Sequence, residues 1–185
     1  MSETNGKTAV VTGGTSGLGE AAALALASAG WRVLIVGRDG ARGAEVVKKL
    51  GHGGEFVQAD LFSLEDVKRL AGELKRKAPK LDLLINNAGG AFNAPEPTVD
   101  GLERTFALNV VAPFVLTEAL VAPLAAAKGR VVNVVTGITN AMKASVDQLV
   151  GPNAKGGMMS YVRNKLALIA VTNEQQKASC ARRPS

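Results

Sequence analysis

Short apolar runs alternate with longer helical patterns along almost the whole chain, and this alternation constrains the fold more than any other feature. The runs are rich in Val, Ile and Leu and lack the apolar–polar alternation of a strand with one wet face, so we expect strands buried on both faces. Strands and helices in regular succession predict a parallel sheet covered by helices on both sides. The predicted strands are residues 8–12, 32–37, 55–58, 81–86 and 130–135.

The segments between these runs have the apolar spacing of helices. Gly30, Gly51 and Gly129 stand where helix C-caps are expected, and Ser63 is a predicted N-cap. The longest helical pattern is expected to break near Asn109. The predicted fold is therefore α/β, a doubly wound parallel sheet (Rossmann fold) with about five strands. The predicted helices are residues 17–29, 41–50, 63–77, 101–127 and 160 to about 177.

Length and composition narrow the class of protein. The 185 residues suffice for one domain, and a hydrophobic content of 46% is too high for a disordered chain. With one cysteine, Cys180, and one histidine, an internal disulfide is excluded and we expect no metal site. This cysteine usage fits a reducing compartment, and no signal or transit sequence is recognised, so we predict a cytoplasmic protein.

The charge and the apolar stretches point away from nucleic acid and membrane partners. The net charge of +6 is dispersed over predicted helix surfaces, and Trp31 and Tyr161 stand apart from the lysines, so no nucleic-acid partner is expected. Residues 106–127 are the most membrane-like, but polar residues and prolines interrupt them, which favours a buried helix over a membrane span. The interrupting residues are Asn109, Pro113, Glu118 and Pro123.

A glycine-rich turn with the sequence TGGTSGLG, residues 12–19, joins the first predicted strand to an alanine-rich helix. Glycines at such a place allow a tight turn, close approach of the backbone to a pyrophosphate, and close packing of helix on strand. A plain loop is the alternative. The predicted cofactor contacts in this turn are Gly13, Thr15, Ser16, Gly17, Leu18 and Gly19.

The spacing of this turn resembles the TGxxxGxG loop of the short-chain dehydrogenase/reductase family, and the resemblance extends over residues 7–172. Two further motifs support it. Asp60-Leu61 resembles the family's segment that meets the adenine ring, and residues 86–89 resemble the NNAG motif that steadies the sheet beside the cofactor. Each could be plain turn chemistry by itself. The cofactor contacts that the NNAG resemblance implies are Asn87, Ala88 and Gly89.

The residues after the second strand bear on the choice of cofactor. An acidic side chain there would bind the 2′-OH of NAD, whereas arginine accommodates the 2′-phosphate of NADP through bidentate bonds. The sequence has Arg38 followed by Asp39, which favours NADP(H) over NAD(H). In the alternative interpretation Arg38 is a solvated loop residue and Asp39 only caps the next helix.

The segment Tyr161-Val-Arg-Asn-Lys165 resembles the family's YxxxK motif. A spacing of four residues places both side chains on one helix face. A free tyrosine is a poor base near neutral pH, and a nearby ammonium favours the phenolate. The resemblance implies that Tyr161 is the acid/base and that Lys165 also holds the nicotinamide ribose, so both count as catalytic and cofactor-binding residues.

Two more catalytic residues follow from the resemblance. The family has a serine at the end of the fifth strand, where this chain has Thr136. Threonine keeps the hydroxyl that can bind the substrate oxygen and adds a methyl group that narrows the site. Ser145 and Ser160 are alternatives by residue type, although neither lies at the strand end. Asn109 matches the family's asparagine that supports a proton relay through water and the lysine.

The long interval between Thr136 and Tyr161, together with residues 98–103, resembles the branch that contains retinol-dehydrogenase-like enzymes. This implies a small apolar carbonyl or alcohol substrate. Four apolar residues of the interval could line a pocket for it or simply pack on the core. The resemblance also implies a homo-oligomer paired through the helices around residues 101–127 and 160–177. The four residues are Met142, Leu149, Met158 and Met159.

The C-terminal region departs from the family pattern. Relatives continue with further strands, so we expect either a truncated chain or a partner that covers the fifth strand, which would otherwise be an exposed apolar sheet edge. Residues 177–185 are expected to form a disordered or atypical tail. The predicted function is an NADP(H)-dependent oxidoreductase that moves a hydride between nicotinamide and a carbonyl or alcohol. A truncated, non-catalytic NADP(H)-binding protein is the alternative. A Rossmann-like methyltransferase does not explain the YxxxK and NNAG motifs.

Overall fold

The computed structural model describes residues 6–51, 53–94, 96–137, 145–149 and 156–181. The chain divides into two compact units. The first comprises Met1–Ala88 and Val115–Val134, and the second comprises Gly89–Phe114 and Val135–Ser185. The expectation of a single domain stays a prediction.

Five parallel strands form one sheet in the first unit, with the order β3-β2-β1-β4-β5. Every residue of the central strand β1 is buried, as expected for a strand in the middle of a parallel sheet. Val11 of β1 pairs with Ile35 of β2 on one side and with Ile85 of β4 on the other. The predicted doubly wound fold with five strands is confirmed. The strands are β1 Thr8–Thr12, β2 Arg32–Gly37, β3 Gly54–Gln58, β4 Leu83–Asn86 and β5 Arg130–Asn133.

Strand β5 is an edge of the sheet, as predicted. Among the described strands it pairs with β4 alone. Its Val132 side chain is 45% exposed, so this edge presents apolar surface.

Three helices follow the first three strands: α1 Gly17–Ser28, α2 Gly40–Leu50 and α3 Leu64–Lys77. The Asp39 carboxylate accepts the N–H of Arg42 at 3.1 Å and so caps α2. The Ser63 hydroxyl accepts the N–H of Asp66 at 3.3 Å, which confirms Ser63 as the N-cap of α3. Helices α1 and α2 bury Ala23, Val46 and Leu50 in one apolar cluster with residues of β1 and β2.

The long helical stretch is interrupted twice. It consists of α4 Arg104–Phe106, a π-helical turn Ala107–Val111, α5 Ala112–Ala119 and α6 Val121–Ala127. The π turn lies where the sequence predicts a break at Asn109. A second bend of 59° separates Arg104–Ala119 from Val121–Ala127. Across the described ranges no single helix is long and apolar enough to cross a membrane, although this bent pair meets the requirements of length and composition.

Helix α7 comprises Met158–Ala181. It begins before the predicted start at Ser160 and ends after the predicted end near Lys177. An ion pair of 2.8 Å between Glu174 and Lys177 lies in this C-terminal part. Residues 182–185 lie outside the described chain.

The predicted caps at the helix ends are correct in part. Gly51 is the C-cap of α2 with a φ of 71°. The prediction for Gly129 is wrong, because the C-cap of α6 is Lys128, which takes the left-handed conformation with a φ of 51°. Gly129 has a different reason to be glycine: a Cβ there would overlap the carbonyl oxygen of Leu81.

Candidate active site

Hydrogen bonds tie together the ends of β1 and β4, where the strand order reverses. The Thr12 hydroxyl accepts the backbone N–H groups of Asn87 and Ala88, both at 3.1 Å. The Asn87 amide nitrogen donates to the carbonyls of Thr12 at 3.0 Å and Gly13 at 3.3 Å. Ligands of open α/β sheets bind beyond the carboxyl ends of the strands at such a switch point. The segments after β1 and β4 are therefore a candidate ligand site in the first unit.

The glycine-rich turn bends through two glycines in the left-handed region, Gly13 with a φ of 65° and Gly17 with a φ of 55°. Gly19 is buried in the first turn of α1, and a Cβ there would overlap the Gly13 carbonyl and the Asn87 amide. Helix α1 begins at Gly17, so the positive end of its dipole lies at this turn. The close-packed backbone beside a helix N-terminus fits the phosphates of a dinucleotide.

The other predicted contacts of this turn have different surroundings. Thr15 packs close to Gly37, since a Cβ on Gly37 would lie 2.8 Å from the Thr15 Cγ2. Ser16 precedes α1 in extended conformation. Leu18 is exposed, and Leu61, after the third strand, is buried.

Arg38 borders an open pocket of about 580 Å³ in the first unit. Its guanidinium carbon lies 5.1 Å from the centroid of the Phe62 ring. Its backbone carbonyl accepts the side-chain amide of Gln58 at 2.9 Å. The pocket is lined by Arg38, Gln58, Ala59, Asp60, Asp66 and Arg69.

The two arginines of this pocket have different environments. The Arg69 guanidinium donates to Asp66 at 2.6 Å, to Glu73 at 3.3 Å and to the Gln58 carbonyl at 2.6 Å. Burial works to raise the pKa of Asp66, but the Arg69 guanidinium and the N–H of Asp60 outweigh it, so this pKa is lowered. Arg69 is thus neutralised, whereas the Arg38 guanidinium makes no hydrogen bond or ion pair within the described part of the chain.

A second group of predicted residues meets in the second unit around Lys165. This side chain is only 2% exposed, and its Nζ lies 5.6 Å from the centroid of the Tyr161 ring. Burial lowers the pKa of Lys165 from 10.5 to about 8. A Cβ on Gly89 would lie 3.0 Å from the Lys165 Nζ and 2.7 Å from the Asn109 Oδ1. The missing side chain at Gly89 therefore leaves room for both groups.

Asn109 is fully buried in the π-helical turn. Its amide nitrogen donates to the carbonyls of Gly90 and Thr105, both at 2.8 Å, and its Oδ1 accepts the Gly90 N–H at 3.3 Å. The two bonds to Gly90 fix the backbone next to Gly89, which packs against Lys165, and the bond to Thr105 anchors the amide in its helix. The Asn109 side chain therefore supports the surroundings of the lysine.

Thr136 and the two alternative serines have different surroundings. Thr136 is half-buried shortly after β5 ends at Asn133. Ser160 is buried, and its hydroxyl accepts the Asn164 amide at 3.2 Å inside α7. Ser145 is exposed, and its N–H donates to the Gln148 side chain at 3.3 Å. Thr136 alone of the three lies at the strand end.

Comparison with known proteins identifies the family. The sequence model of the short chain dehydrogenase family matches residues 7–173. The chain belongs to the short-chain dehydrogenase/reductase family. It is 35% identical over 187 residues to mouse retinol dehydrogenase 14, covering 92% of this chain and 56% of that protein. It is 32% identical over 185 residues to human polyprenol dehydrogenase, covering 95% and 56%.

A solved structure is similar in fold to this chain. The Pseudomonas aeruginosa RhlG/NADP complex superposes with a TM-score of 0.78 at 28% identity, covering 96% of this chain and 68% of that one. The chain spans about half the length of the curated relatives named above.

Some residues around these sites have no signal in the sequence. In the sequence, Phe62 is an ordinary turn residue after the Asp60-Leu61 motif, and Arg69 is one of several basic residues on a predicted helix surface. Thr12 stands at the start of the TGxxxGxG motif, so its position could have drawn attention to its hydroxyl. The contact between Phe62 and Arg38 joins segments distant in sequence, which no local pattern specifies. The pairs of Arg69 with Asp66 and Glu73 have helical spacing, so the sequence could have indicated them.

Proposed function

We propose that the protein is an NADP(H)-dependent oxidoreductase that acts on a carbonyl or alcohol group, with Tyr161 as the acid/base. The observation that carries the proposal is the pair of Tyr161 and Lys165 on one face of α7, with the lysine buried. When bound, a nicotinamide cofactor supplies or accepts the hydride. The residues of the chain then bind, orient and move a proton.

Tyr161 would transfer the proton to or from the substrate oxygen through its hydroxyl. The burial that lowers the pKa of Lys165 to about 8 leaves this ammonium able to exchange a proton near neutral pH. Thr136 would bind the substrate oxygen through its hydroxyl. Asn109 would support the relay to Lys165 by holding the backbone at Gly90.

Replacement of Tyr161 by phenylalanine tests this role, because it removes only the hydroxyl. We expect Tyr161→Phe to abolish turnover while NADPH binding stays close to that of the wild type. The measurement is a screen of apolar ketones, aldehydes and alcohols in both directions, with NADPH affinity determined in parallel. Near-normal turnover in Tyr161→Phe would refute the assignment.

The preference for NADP(H) is supported by Arg38. Its exposed guanidinium offers N–H groups to a 2′-phosphate, and Asp39 is engaged as the cap of α2. The glycine-rich turn and the segment of Asn87, Ala88 and Gly89 would hold the remaining parts of the cofactor. Arg38→Asp should reverse the ratio of NADPH to NADH affinity, and an unchanged ratio would defeat the assignment.

A small apolar substrate is supported by the relatives, whose names include retinol and polyprenol dehydrogenases. Met158 and Met159 are 65% and 55% exposed, within one helical turn of Tyr161. Leu149 is half-buried, and Met142 lies outside the described residues. A homo-oligomer and a cytoplasmic location stay predictions, to be tested by sedimentation and by localisation in cells.

A non-catalytic NADP(H)-binding protein is the second candidate, and Thr136 in place of serine favours it. Binding of NADPH without turnover of any compound in the screen, and recovery of turnover in Thr136→Ser, would support this candidate.

A further inference from the structure

An aromatic ring that the proposed function leaves without a role lies next to Arg38, the arginine that borders the pocket. Phe62 is largely buried, and the Arg38 guanidinium lies over its ring at 5.1 Å. A guanidinium is planar, with two faces and an edge of N–H donors. Phe62 lies on one side of this guanidinium, so its other side and its N–H groups remain available to ligands.

Three hydrogen bonds hold the backbone of the turn that carries this ring. The N–H of Ser63 donates to the Asp60 carbonyl at 3.2 Å, and the N–H of Phe62 donates to the Asp60 carboxylate at 3.0 Å. The N–H of Asp60 donates in turn to the Asp66 carboxylate at 2.5 Å. Phe62 therefore sits in a fixed turn at the end of β3.

Arg38 differs from the other charged residues at this pocket in its hydrogen-bond partners. Of the carboxylates that line the pocket, Asp66 is paired with Arg69, and Asp60 is bonded to the Phe62 N–H. Arg69 uses three of its five N–H groups on three acceptors, two of which are carboxylates. The Arg38 guanidinium makes no such bond within the described residues, so all its N–H groups are available to an anion, and its side chain is long and exposed.

We propose that the Phe62 ring is the platform that orients Arg38 toward the 2′-phosphate, so that Phe62 sets the preference for NADP(H) over NAD(H) together with Arg38. This inference rests on the proposed use of NADP(H). A long cation loses conformational freedom when it binds, and a platform that holds it in place beforehand reduces this cost. Phe62 is a positioning residue, since it acts through Arg38.

The test uses the 185-residue chain and four ligands: NADPH, NADH, 2′,5′-ADP and 5′-ADP, each titrated by calorimetry. Phe62→Leu keeps an apolar side chain and removes the π face. We expect it to lower the ratio of NADPH to NADH affinity by about two- to fivefold, the size of an exposed cation–π contact. The ratio for 2′,5′-ADP to 5′-ADP should fall equally, while NADH and 5′-ADP bind as before. Phe62→Tyr keeps the π face and should keep both ratios.

Matched variants separate the possible outcomes. Phe56→Leu removes an aromatic ring of β3 that packs on Gly43 rather than in this pocket, and should leave both ratios unchanged. Equal weakening of all four ligands in Phe62→Leu would mean a merely structural role and would overturn the inference. If Phe62→Leu does not fold, Phe62→Met replaces it, with the same expectation.

Arg38→Ala distinguishes failure of this inference from failure of the proposed function. If Arg38→Ala loses the preference while Phe62→Leu keeps it, the platform is refuted and the use of NADP(H) stands. If the wild-type chain binds NADPH and NADH equally, the proposed preference fails and the platform with it.

Discussion

Replacing Lys165 with methionine should stabilise the fold at neutral pH and abolish turnover at the same time. Burial lowers the pKa of Lys165 from 10.5 to about 8. Since a pKa change of one corresponds to about 1.4 kcal/mol, burying this ammonium costs about 3 kcal/mol. The cost is fully present below pH 8 and is lost as the pH rises toward 10.5, where the unfolded chain also releases the proton.

Methionine has similar length and carries no charge. Lys165→Met should therefore raise the free energy of unfolding by about 2–3 kcal/mol at pH 7, and by less than about 1 kcal/mol at pH 10. The assay is urea denaturation followed by circular dichroism at both pH values, without added cofactor. Lys177→Met is the matched control, because Lys177 lies exposed on the same helix in an ion pair with Glu174. It should change stability by less than about 0.5 kcal/mol at either pH.

Either of two results would contradict the effect of burial on Lys165. If Lys165→Met is less stable than the wild type at pH 7, or gains the same amount at both pH values, burial is not what disfavours the ammonium. A turnover assay of Lys165→Met run beside the denaturation shows whether the fold gives up stability to keep a residue that turnover requires.

Three further substitutions test separate contacts. The Lys77 ammonium and the Arg32 guanidinium lower the pKa of Glu55 against the effect of burial, so the stability that this carboxylate contributes is lost as the pH falls through its lowered pKa. Glu55→Gln should therefore reduce the loss of stability at acidic pH, measured as the free energy of unfolding against pH. An unchanged loss would contradict this. Gly89→Ala places a Cβ 3.0 Å from the Lys165 Nζ. It should reduce turnover at least about tenfold in steady-state assays and change the affinity for 5′-ADP little. Normal turnover would show that the space at Gly89 is not required. Ser63→Ala removes the cap of α3 and should cost about 1 kcal/mol in urea denaturation, whereas a loss below about 0.3 kcal/mol would mean that water replaces the hydroxyl.

The strands and helices could be predicted because their signals are local. Runs of Val, Ile and Leu predict buried strands, and the hydroxyl of Ser63 predicts where α3 begins. Gly129 shows the limit of such reasoning: a glycine at a helix end suggests a left-handed cap, yet Lys128 takes that conformation. The close approach of the Leu81 carbonyl demands the glycine instead, and tertiary packing of this kind leaves no local trace.

The candidate site likewise combines features that the local sequence predicts with features that only the tertiary structure determines. The motifs around Tyr161 and Arg38 are visible in the sequence because each is short and follows a strand or lies on one helix. The ion pairs of Arg69 with Asp66 and Glu73 have the (i, i+3) and (i, i+4) spacing of neighbours on a helix, so the sequence already indicates them. The ring under Arg38 depends instead on which segments the sheet brings side by side.

The π-helical turn at Ala107–Val111 has a consequence for insertions and deletions. Such a turn holds one residue more than an α-helical turn. Because the extra residue is absorbed within the turn, deleting Val110 would close it to α-helical geometry with the flanking residues in nearly the same orientation, whereas a further insertion would rotate the following residues by about 100° relative to those before it. After such an insertion, either Asn109 would leave the Gly90 backbone or Ala112 would leave its buried side. We therefore expect an insertion in this turn to do more harm than a deletion.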